Sequence, residues 1–482
     1  MGNVGPAFLA SGASVILAGV KPGSPALRLS PARAAAFDVL LRVECEASYA
    51  SELLHSRTCA GLTALDHALA TELVMGVLRW RSLLDSEIAA YSAQPLARLD
   101  LEVLSALRLG AYQLQWLTRI PARASIHESV ELVKRARKRS AAAFVNAVLR
   151  KFAAAVPRGK TGTVNTIGGA SPEGLAATSA HPAWLVERWA KAYGPEAAFH
   201  ICRHNQSVPV TTIRLRHPDA EARLRSEGVE LAPGALLSSA RRVVAGDIVR
   251  TSVFKDGLCI IQDEASQLVA ALVGRGPRIL DCCAAPGGKT AAIADINPQT
   301  QLVAVELHPH RARLLQRLIG WRHRGDENES AQVSVVAADA RNLPFTAKFD
   351  RVLADVPCSG TGTLSRNPEI KWRLAQEDLG DLQVRQAGIL RSAMARVSAG
   401  GRVIYSTCSL EKEENEEVVE RCLSSDSSFR MIDCRAELAR LKEEGKVTWQ
   451  DIASLAHGPY LRTLPGVHPC DGFFAAILQA VS

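Results

Sequence analysis

Two short motifs each place a cysteine where its reactivity could be tuned. Cys358 lies in Asp355-Val-Pro-Cys-Ser-Gly-Thr-Gly362, and Cys408 lies in Thr407-Cys-Ser409. A single cysteine at the end of a strand is usually a small buried side chain. Two cysteines on adjacent predicted strand ends, one beside an Asp-Val-Pro turn, are harder to explain by packing alone. The chemistry open to a cysteine is nucleophilic attack, which requires an activated thiolate.

A third motif, Asp281-Cys-Cys-Ala-Ala-Pro-Gly-Gly-Lys-Thr290, is rich in small residues. It is not a P-loop, because Cys283 occupies the first glycine position of that pattern, and it lacks the G-x-G-x-x-G of dinucleotide-binding proteins. A tight Pro-Gly-Gly turn from strand to helix remains. This is either a simple turn or a place where a ligand approaches the backbone closely.

Acidic residues follow the next two apolar runs of the sequence, at Glu306 and Asp339. An acid at the end of the second strand of an α/β domain can hold ribose hydroxyls, and an adenine amino group is a plausible partner for the next acid. Each acid alone is more often a helix cap or a surface residue. Together with Asp281, in order on successive strand ends, they favour a bound adenosine.

Residues 256–482 predict the sheet that these motifs need. Apolar runs bounded by turn residues alternate with helical stretches, which indicates a parallel α/β sheet with helices on both faces. Ligands bind at the carboxyl ends of such strands, so the motifs should share one cleft. The predicted strands are Arg278–Cys282, Leu302–Leu307, Val333–Ala337, Arg351–Ala354 and Arg402–Tyr405, and the predicted helices include Arg311–Trp321 and Asp378–Val397.

Residues 30–156 have a different pattern, with apolar side chains at helical spacing, and predict an all-α bundle. Ser30-Pro31 is typical of a helix start. Pro121 interrupts the pattern, and Ser125-x-x-Glu128 is predicted to be the capping box of the following helix.

Residues 181–255 predict a small α+β unit, with a helix at Trp184–Phe199 and alternating stretches at Val210–Leu215 and Arg242–Arg250. Residues 157–180 are mostly small and polar, which is typical of a linker. Residues 1–29 are expected to be a disordered tail.

The charges are divided unevenly along the 482 residues, although the net charge is only +8. Residues 1–255 carry 31 basic and 20 acidic side chains, a net of +11, and residues 256–482 carry 26 and 29, a net of −3. Such asymmetry favours a nucleic-acid-binding part joined to another part. The acid-free stretch Lys134–Lys151 favours phosphate contacts, with a solvated helix face as the alternative.

The 11 cysteines include no C-x-x-C pair. This favours a reduced, cytoplasmic compartment and argues against a structural zinc site. No unbroken run of about 20 apolar residues suggests a membrane span.

These motifs together make the chain similar to the bacterial 16S rRNA (cytosine-C5)-methyltransferase family called RsmB, Sun or Fmu. The resemblance covers almost everything from Ser30 onward, and the helical Leu73–Phe152 region resembles the NusB-like RNA-binding domain of that family. Small departures are Glu306, where an aspartate is common, and Asn367, where some members carry histidine. The motifs that carry the resemblance are Cys283-Ala-Ala-Pro-Gly-Gly-Lys289, Asp355-Val-Pro-Cys-Ser-Gly-Thr-Gly362, Asn367-Pro-Glu-Ile-Lys-Trp372, Thr407-Cys-Ser409 and Asp471-Gly-Phe-Phe474.

The resemblance implies a multidomain fold: an all-α NusB-like RNA-binding bundle over residues 30–156, a small α+β RNA-binding subdomain over 181–255, and an α/β, Rossmann-like class I methyltransferase domain over 256–482. It implies S-adenosylmethionine as methyl donor and no metal. The expected partner is 16S rRNA, either free or in a small-subunit assembly intermediate, and the chain is expected to be a monomer with no membrane association.

The resemblance also implies the roles of the site residues. Cys408 is expected to be the nucleophile that adds to cytosine C6, and Cys358 is expected to assist product release. Asp355 and Lys289 are expected near the target base. The residues expected to contact S-adenosylmethionine are Cys283, Ala284, Ala285, Pro286, Gly287, Gly288, Lys289, Glu306, Asp339 and Asp355.

Other functions stay open at this point. The nearest is the same chemistry on tRNA, against which the NusB-like region argues. A second is a non-catalytic RNA-binding factor in ribosome assembly, against which the two cysteines and the acids argue. A DNA methyltransferase conflicts with Thr407-Cys-Ser409, because the DNA enzymes use the Pro-Cys thiol as nucleophile.

Overall fold

The computed structural model describes residues 29–159, 171–320 and 331–481. The predicted tail, apart from Leu29, and residues 160–170 of the predicted linker lie outside these ranges. Within the described ranges, none of the helices is long and apolar enough to cross a membrane.

The amino-terminal part is helical, as predicted. Ser30 is the N-cap of the first helix, and Pro31 is its first residue. The helices pack around one apolar core that includes Leu73, Leu107 and Leu149. They are α1 (Pro31–Glu46), α2 (Ala50–Leu54), α3 (Ala64–Ala89), α4 (Leu101–Trp116), α5 (Ala122–Arg135) and α6 (Ala142–Ala155).

The predicted capping box at Ser125 is wrong, because α5 already begins at Ala122, directly after Pro121. Ser125 lies inside the helix, where it is fully buried. Glu128 instead makes a buried ion pair with Arg33 of α1, with 3.1 Å between Nη1 and Oε1. The acid therefore joins two helices rather than capping one.

The next part combines helices with a small antiparallel sheet. Gly194, at φ +88°, and Pro195 divide the predicted helix Trp184–Phe199 into two helices, because a residue in this conformation followed by proline does not continue a helix. The sheet order is β2-β3-β1-β4. The elements are α7 (Pro172–Thr178), α8 (Ala183–Tyr193), α9 (Pro195–Asn205), β1 (Thr212–Leu215), α10 (Ala220–Ser226), β2 (Glu230–Pro233), β3 (Ala240–Ala245), α11 (Ser252–Lys255) and β4 (Cys259–Ile261).

Two of these elements differ from the sequence-based division of the chain. Helix α7 lies within residues 157–180, which composition predicts to be linker. Strand β4 pairs with β1, so the small sheet extends past residue 255.

The carboxyl-terminal part is an α/β domain around one large sheet, with strand order β11-β12-β13-β9-β8-β5-β6-β7 and β10 paired to β13. Its elements are α12 (Glu264–Val273), β5 (Arg278–Asp281), α13 (Gly288–Ile296), β6 (Gln301–Glu306), α14 (Pro309–Gly320), β7 (Gln332–Ala337), β8 (Phe349–Asp355), α15 (Ile370–Arg373), α16 (Asp378–Met394), β9 (Val397–Thr407), α17 (Glu416–Ser425), β10 (Phe429–Ile432), α18 (Cys434–Glu443), β11 (Ala456–His457), β12 (Tyr460–Thr463) and β13 (Phe473–Ala480).

The predicted strands are confirmed, and β5 to β9 pair in parallel. Neighbouring residues of one strand, such as Ile279 and Leu280, enter separate apolar clusters on the two faces of the sheet. Burial on both faces explains why these strands appear in the sequence as continuous apolar runs. Strands β10 to β13 are antiparallel additions that the strand–helix alternation did not predict.

The segment from Asn367 to Arg373 joins the helical and α/β domains. Its side chains bond to backbone groups near the end of α1, at the start of α2 and within α3, so the two domains contact each other through a specific polar interface. The pairs are the Ala50 amide with Glu369 Oε1 (2.9 Å), Lys371 Nζ with the Arg79 carbonyl (2.9 Å), Trp372 Nε1 with the Leu78 carbonyl (2.6 Å) and Arg373 Nη1 with the Ala47 carbonyl (2.6 Å).

We expect Glu369→Ala to lower the free energy of unfolding by about 1–3 kcal/mol, because it leaves the buried amide of Ala50 without its acceptor. Urea denaturation followed by tryptophan fluorescence measures this change. Glu377→Ala is the control, because Glu377 is exposed and makes no side-chain cap for the helix that follows it. Equal stability of the two variants would contradict a stabilising role for this contact.

Candidate active site

The two motif cysteines lie side by side because their strands are neighbours. Strands β8 and β9 run in parallel, with Asp355 opposite Ser406, so the loops that follow them leave the same edge of the sheet. The sulfur atoms of Cys358 and Cys408 are 3.3 Å apart. Ser406 also donates a hydrogen bond to Asp355, with 2.7 Å between Oγ and Oδ1.

A buried carboxylate, Glu414, holds the two cysteine loops together. Its Oε1 accepts hydrogen bonds from the Ser359 amide (2.8 Å) and from Nε2 of Gln386 (2.8 Å). Its Oε2 accepts from the hydroxyls of Ser359 and Ser409. The two serines directly follow the two cysteines, so Glu414 fixes the relative position of the thiols.

Two motif glycines allow the same loops to approach the last strand closely. The Gly362 amide donates to the Cys408 carbonyl (2.9 Å), and the Gly472 amide donates to the Gly362 carbonyl (2.8 Å). A Cβ atom at position 362 would lie 2.1 Å from the Gly472 carbonyl oxygen. Any larger side chain at position 362 would therefore separate the three segments that form this part of the site.

Lys289 and Asp355 form an ion pair in the same cleft, with 2.8 Å between Nζ and Oδ2. The ammonium lies 4.9 Å from the centre of the Phe473 ring. Burial lowers the pKa of Lys289, but attraction to Asp355, a hydrogen bond to that carboxylate and attraction to Cys408 outweigh the burial and raise the pKa overall. The lysine therefore stays a cation, held between Asp355 and the Phe473 ring.

The two thiols share one hydrogen bond, in which either sulfur could be the donor. The hydrogen bond with Cys408 and burial raise the pKa of the Cys358 thiol well above its ordinary value. The Cys358 thiol is therefore held in its protonated form, 3.3 Å from the Cys408 sulfur.

Asp281, the first predicted rim acid, is buried rather than open to the cleft. Thr290 donates a hydrogen bond to its Oδ2 at 2.7 Å, while its Oδ1 is buried without a partner among the described residues. Burial raises the pKa of Asp281 to about 7, although the hydrogen bond from Thr290 opposes the shift. Asp281 therefore joins the end of β5 to Thr290 of α13 instead of lining the cleft.

A cavity of about 470 Å³ opens at the ends of β5, β6 and β7. Three of the predicted ligand residues, Cys283, Glu306 and Asp339, line it, together with Pro357 and Ile389. Its lining therefore combines two carboxylates and apolar walls with three arginines, Arg311, Arg341 and Arg385. Asp339 also pairs with Arg341 at 2.6 Å.

The other members of the predicted ligand set lie beside this cavity, in the turn between β5 and α13. Ala284 is buried against Ala304 and Leu315. Gly287 has a φ of +114°, and a Cβ there would lie 2.7 Å from Leu315 Cδ1, so the turn requires glycine at this position. The residues concerned are Ala284, Ala285, Pro286, Gly287 and Gly288, and whether they contact a ligand stays a prediction.

The basic stretch Lys134–Lys151 is only partly available for phosphate. Although the stretch itself contains no acid, acids outside it neutralise some of its charges: Glu131 pairs with Lys134, Asp38 with Arg135 and Asp100 with Lys138. The side chains that remain exposed, with no ion pair among the described contacts, are Arg137, Arg139, Arg150 and Lys151.

Three families match successive parts of the chain. The NusB family matches residues 30–154, the ferredoxin-like domain of RsmF/B-like methyltransferases matches residues 181–244, and 16S rRNA methyltransferase RsmB/F matches residues 273–479. The expected fold of a NusB-like bundle, a small α+β unit and a Rossmann-like methyltransferase domain is thereby confirmed. The boundaries at residues 156, 180 and 255 stay predictions.

Relatives match over nearly the whole length. The probable ribosomal RNA small subunit methyltransferase B of Bacillus subtilis is 33% identical over 465 residues, which cover 94% of this chain and 99% of that protein. The chain belongs to the RsmB/F family of 16S rRNA methyltransferases. The ribosomal RNA small subunit methyltransferase B of Vibrio cholerae is 30% identical, with 86% and 89% of the two chains covered. The solved structure of PH0851 has the same fold, with a TM-score of 0.74 at 22% identity, and covers 95% of this chain and 100% of that one.

Sequence reasoning about this family member missed Glu414. The residue lies in the acidic run Glu411–Glu417 just after the Thr-Cys-Ser motif, and most acidic runs are solvated. The available signal was position alone: Glu414 follows Cys408 closely enough for its side chain to turn back onto the cysteine loop.

We expect Glu414→Gln to loosen the contact between the thiols, because an amide has one acceptor oxygen where the carboxylate has two. The pKa of Cys358 should then fall, and its alkylation by iodoacetamide at neutral pH should speed up by about tenfold for each unit of the fall. Mass spectrometry of the alkylated peptides measures this rate.

The matched control for this change is Glu413→Gln, whose carboxylate pairs with Arg188 rather than with the cysteine loops. Unchanged alkylation of Cys358 in a folded Glu414→Gln protein would show that the carboxylate does not set the thiol contact.

Proposed function

We propose that the chain transfers a methyl group from S-adenosylmethionine to C5 of a cytosine in 16S rRNA, through a covalent bond between Cys408 and C6 of the base. The observation that carries this proposal is the 3.3 Å contact of Cys358 and Cys408 beside the Lys289–Asp355 ion pair. The names of the relatives support the substrate class.

The cavity beside the thiols fits the methyl donor. Its volume of about 470 Å³ suits a nucleoside-sized ligand, and Glu306 and Asp339 follow successive strands, where a ribose and an adenine amino group would be held. When bound there, S-adenosylmethionine supplies an electrophilic methyl group on its sulfonium.

Cytosine C5 needs activation, because it is too weak a nucleophile in the intact aromatic ring. Addition of the Cys408 thiolate to C6 forms an S–C6 bond, and the ring electrons make C5 an enamine carbon. The C5–methyl bond forms as the bond between the methyl and the sulfonium sulfur breaks, which leaves a neutral thioether. Water acting as a base then takes the proton from C5, and the electrons of that C–H bond restore the 5,6 double bond and expel the thiolate from C6. This is nucleophilic catalysis by an activated cysteine.

The surroundings of the two thiols support Cys408 as the nucleophile and Cys358 as the release residue. Lys289 supplies a buried cation in the cleft that holds both thiols, while the pKa of Cys358 is raised, so Cys358 retains its proton. A protonated thiol 3.3 Å away can return a proton to the leaving sulfur. Asp355, held by Lys289 and Ser406, can accept a hydrogen bond from the protonated N3 of the base.

The helical domain and the small sheet would hold the RNA. Arg137, Arg139, Arg150 and Lys151 lie exposed on the NusB-like bundle, and each cation that neutralises a phosphate releases counterions. The target base would leave its stack to reach the cleft between Cys408 and the methyl donor.

We expect Cys408→Ser to abolish methyl transfer while RNA binding stays intact, because an alcohol at this position does not add to C6. The assay uses tritiated S-adenosylmethionine and 16S rRNA, with tRNA as the comparison substrate, and filter binding measures RNA affinity. Bisulfite sequencing of the product identifies cytosine C5. Full activity of Cys408→Ser would exclude it as the nucleophile, and methylation of tRNA alone would exclude the rRNA substrate.

Cys358→Ala should instead stop the reaction after the covalent bond to the RNA has formed. Without the release residue, the covalent enzyme–RNA complex should accumulate and migrate as a slow band on a denaturing gel. The double variant Cys358→Ala, Cys408→Ser is the matched control, because it should form no such band. Loss of activity in Cys358→Ala without the band would contradict its role in release.

A further inference from the structure

The loop between α1 and α2 brings a part of the helical domain to the cysteine site. Arg373, from the α/β domain, donates hydrogen bonds to the carbonyls of Ala47 and Ser48. Its guanidinium carbon lies 5.6 Å from the centre of the Tyr49 ring. One cation therefore fixes the loop backbone and covers part of the aromatic ring at its end.

The residues that follow Tyr49 are held by the loop that carries Cys358. Glu369 accepts a hydrogen bond from the Ala50 amide at 2.9 Å, and Ser51 donates to Asn367 Oδ1 at 3.4 Å. Asn367 in turn donates to Thr363 Oγ1 at 3.3 Å, within the segment that continues directly from the cysteine loop. Tyr49 is therefore positioned relative to the thiols by backbone and side-chain contacts from both domains.

Tyr49 is 43% exposed, although it lies at this interface between domains. Burial raises the pKa of its hydroxyl, and the Arg373 guanidinium opposes that shift. The contacts from Ser51 through Asn367 to Thr363 place Tyr49 beside the segment whose Gly362 amide bonds to the Cys408 carbonyl. An exposed aromatic ring at this position is not required by the packing of either domain.

The proposed chemistry creates a need for such a ring. A cytosine that swings out of its stack leaves the adjacent base with one face uncovered, and an aromatic side chain can replace the lost stacking partner whatever the base. We propose that Tyr49 forms a stacking subsite for the nucleotide next to the target cytosine. This inference rests on the proposed function, and it makes the helical domain part of the methylation site itself.

The test uses an RNA oligonucleotide that spans the cytosine mapped by bisulfite sequencing. We expect Tyr49→Ala to lower kcat/KM about 5- to 150-fold, the range for stacking one base on an aromatic ring. Tyr49→Leu should lose as much, because it keeps bulk without a π-face, whereas Tyr49→Phe should stay within about twofold of the wild type.

The decisive comparison changes the RNA as well as the protein. One RNA carries an abasic residue on the 5′ side of the target cytosine, and a second carries it on the 3′ side. One of these two RNAs should lower the kcat/KM of the wild type to the value of Tyr49→Ala on intact RNA. On that RNA, Tyr49→Ala and the wild type should have the same kcat/KM, since the stacking partner is already gone. A purely structural role for Tyr49 would leave the effects of protein and RNA changes independent.

The controls separate this inference from its premise. Leu65→Ala removes a side chain that is 51% exposed at the start of α3 and should keep wild-type kcat/KM, and every variant should match the wild type in thermal unfolding and in S-adenosylmethionine binding. The stacking subsite is wrong if the wild type is active and Tyr49→Ala is fully active too, or if Tyr49→Phe is as defective as Tyr49→Ala. Neither result contradicts the proposed function. A wild type that does not methylate cytosine in 16S rRNA overturns the proposed function.

Discussion

The chemistry of this chain depends on one buried carboxylate. Glu414 is fully buried and accepts hydrogen bonds from groups in both cysteine loops. Burying a carboxylate costs free energy unless its oxygens accept hydrogen bonds. Four donors pair the two oxygens of Glu414, and the loss of one donor would leave part of the buried charge without a partner. The result is that two thiols separated by 50 residues of sequence lie 3.3 Å apart, and a proton can be shared between them.

A buried ionisable group with a hydrogen-bond partner also links the helical and α/β domains. The segment from Asn367 to Arg373 inserts a fully buried lysine, Lys371, whose Nζ bonds to a backbone carbonyl of α3. Burial lowers the pKa of Lys371 well below its ordinary value, so the interface tolerates this group only with its partner in place. Because this segment continues from the Cys358 loop, domain contact and active-site geometry are coupled. On the proposed function, RNA held by the helical bundle would be kept in a fixed position relative to the thiols.

Much of the fold could be predicted from local pattern. The parallel strands β5 to β9 are buried on both faces and appear as apolar runs, so strand–helix alternation was enough to identify them. Strands β10 to β13 were missed because they join the sheet through β13, which pairs antiparallel with β9. No local periodicity in the sequence specifies that pairing. The predicted helix Trp184–Phe199 failed at Gly194 and Pro195, where turn chemistry overrides apolar spacing. The capping box at Ser125 failed because Pro121 had already started the helix.

By itself the sequence determined which residue types meet at the strand ends: the two cysteines, Lys289, Asp355 and the acids Glu306 and Asp339. The spacing of the motifs is enough for this, because the carboxyl ends of parallel strands lie at the same edge of the sheet. Only the tertiary structure decided which groups touch. It paired Lys289 with Asp355, buried Asp281, put the two thiols in contact, and brought Glu414 and the segment that carries Tyr49 to the site. These contacts join residues far apart along the chain, and their energies come from burial and hydrogen-bond geometry that exist only once the domains have packed.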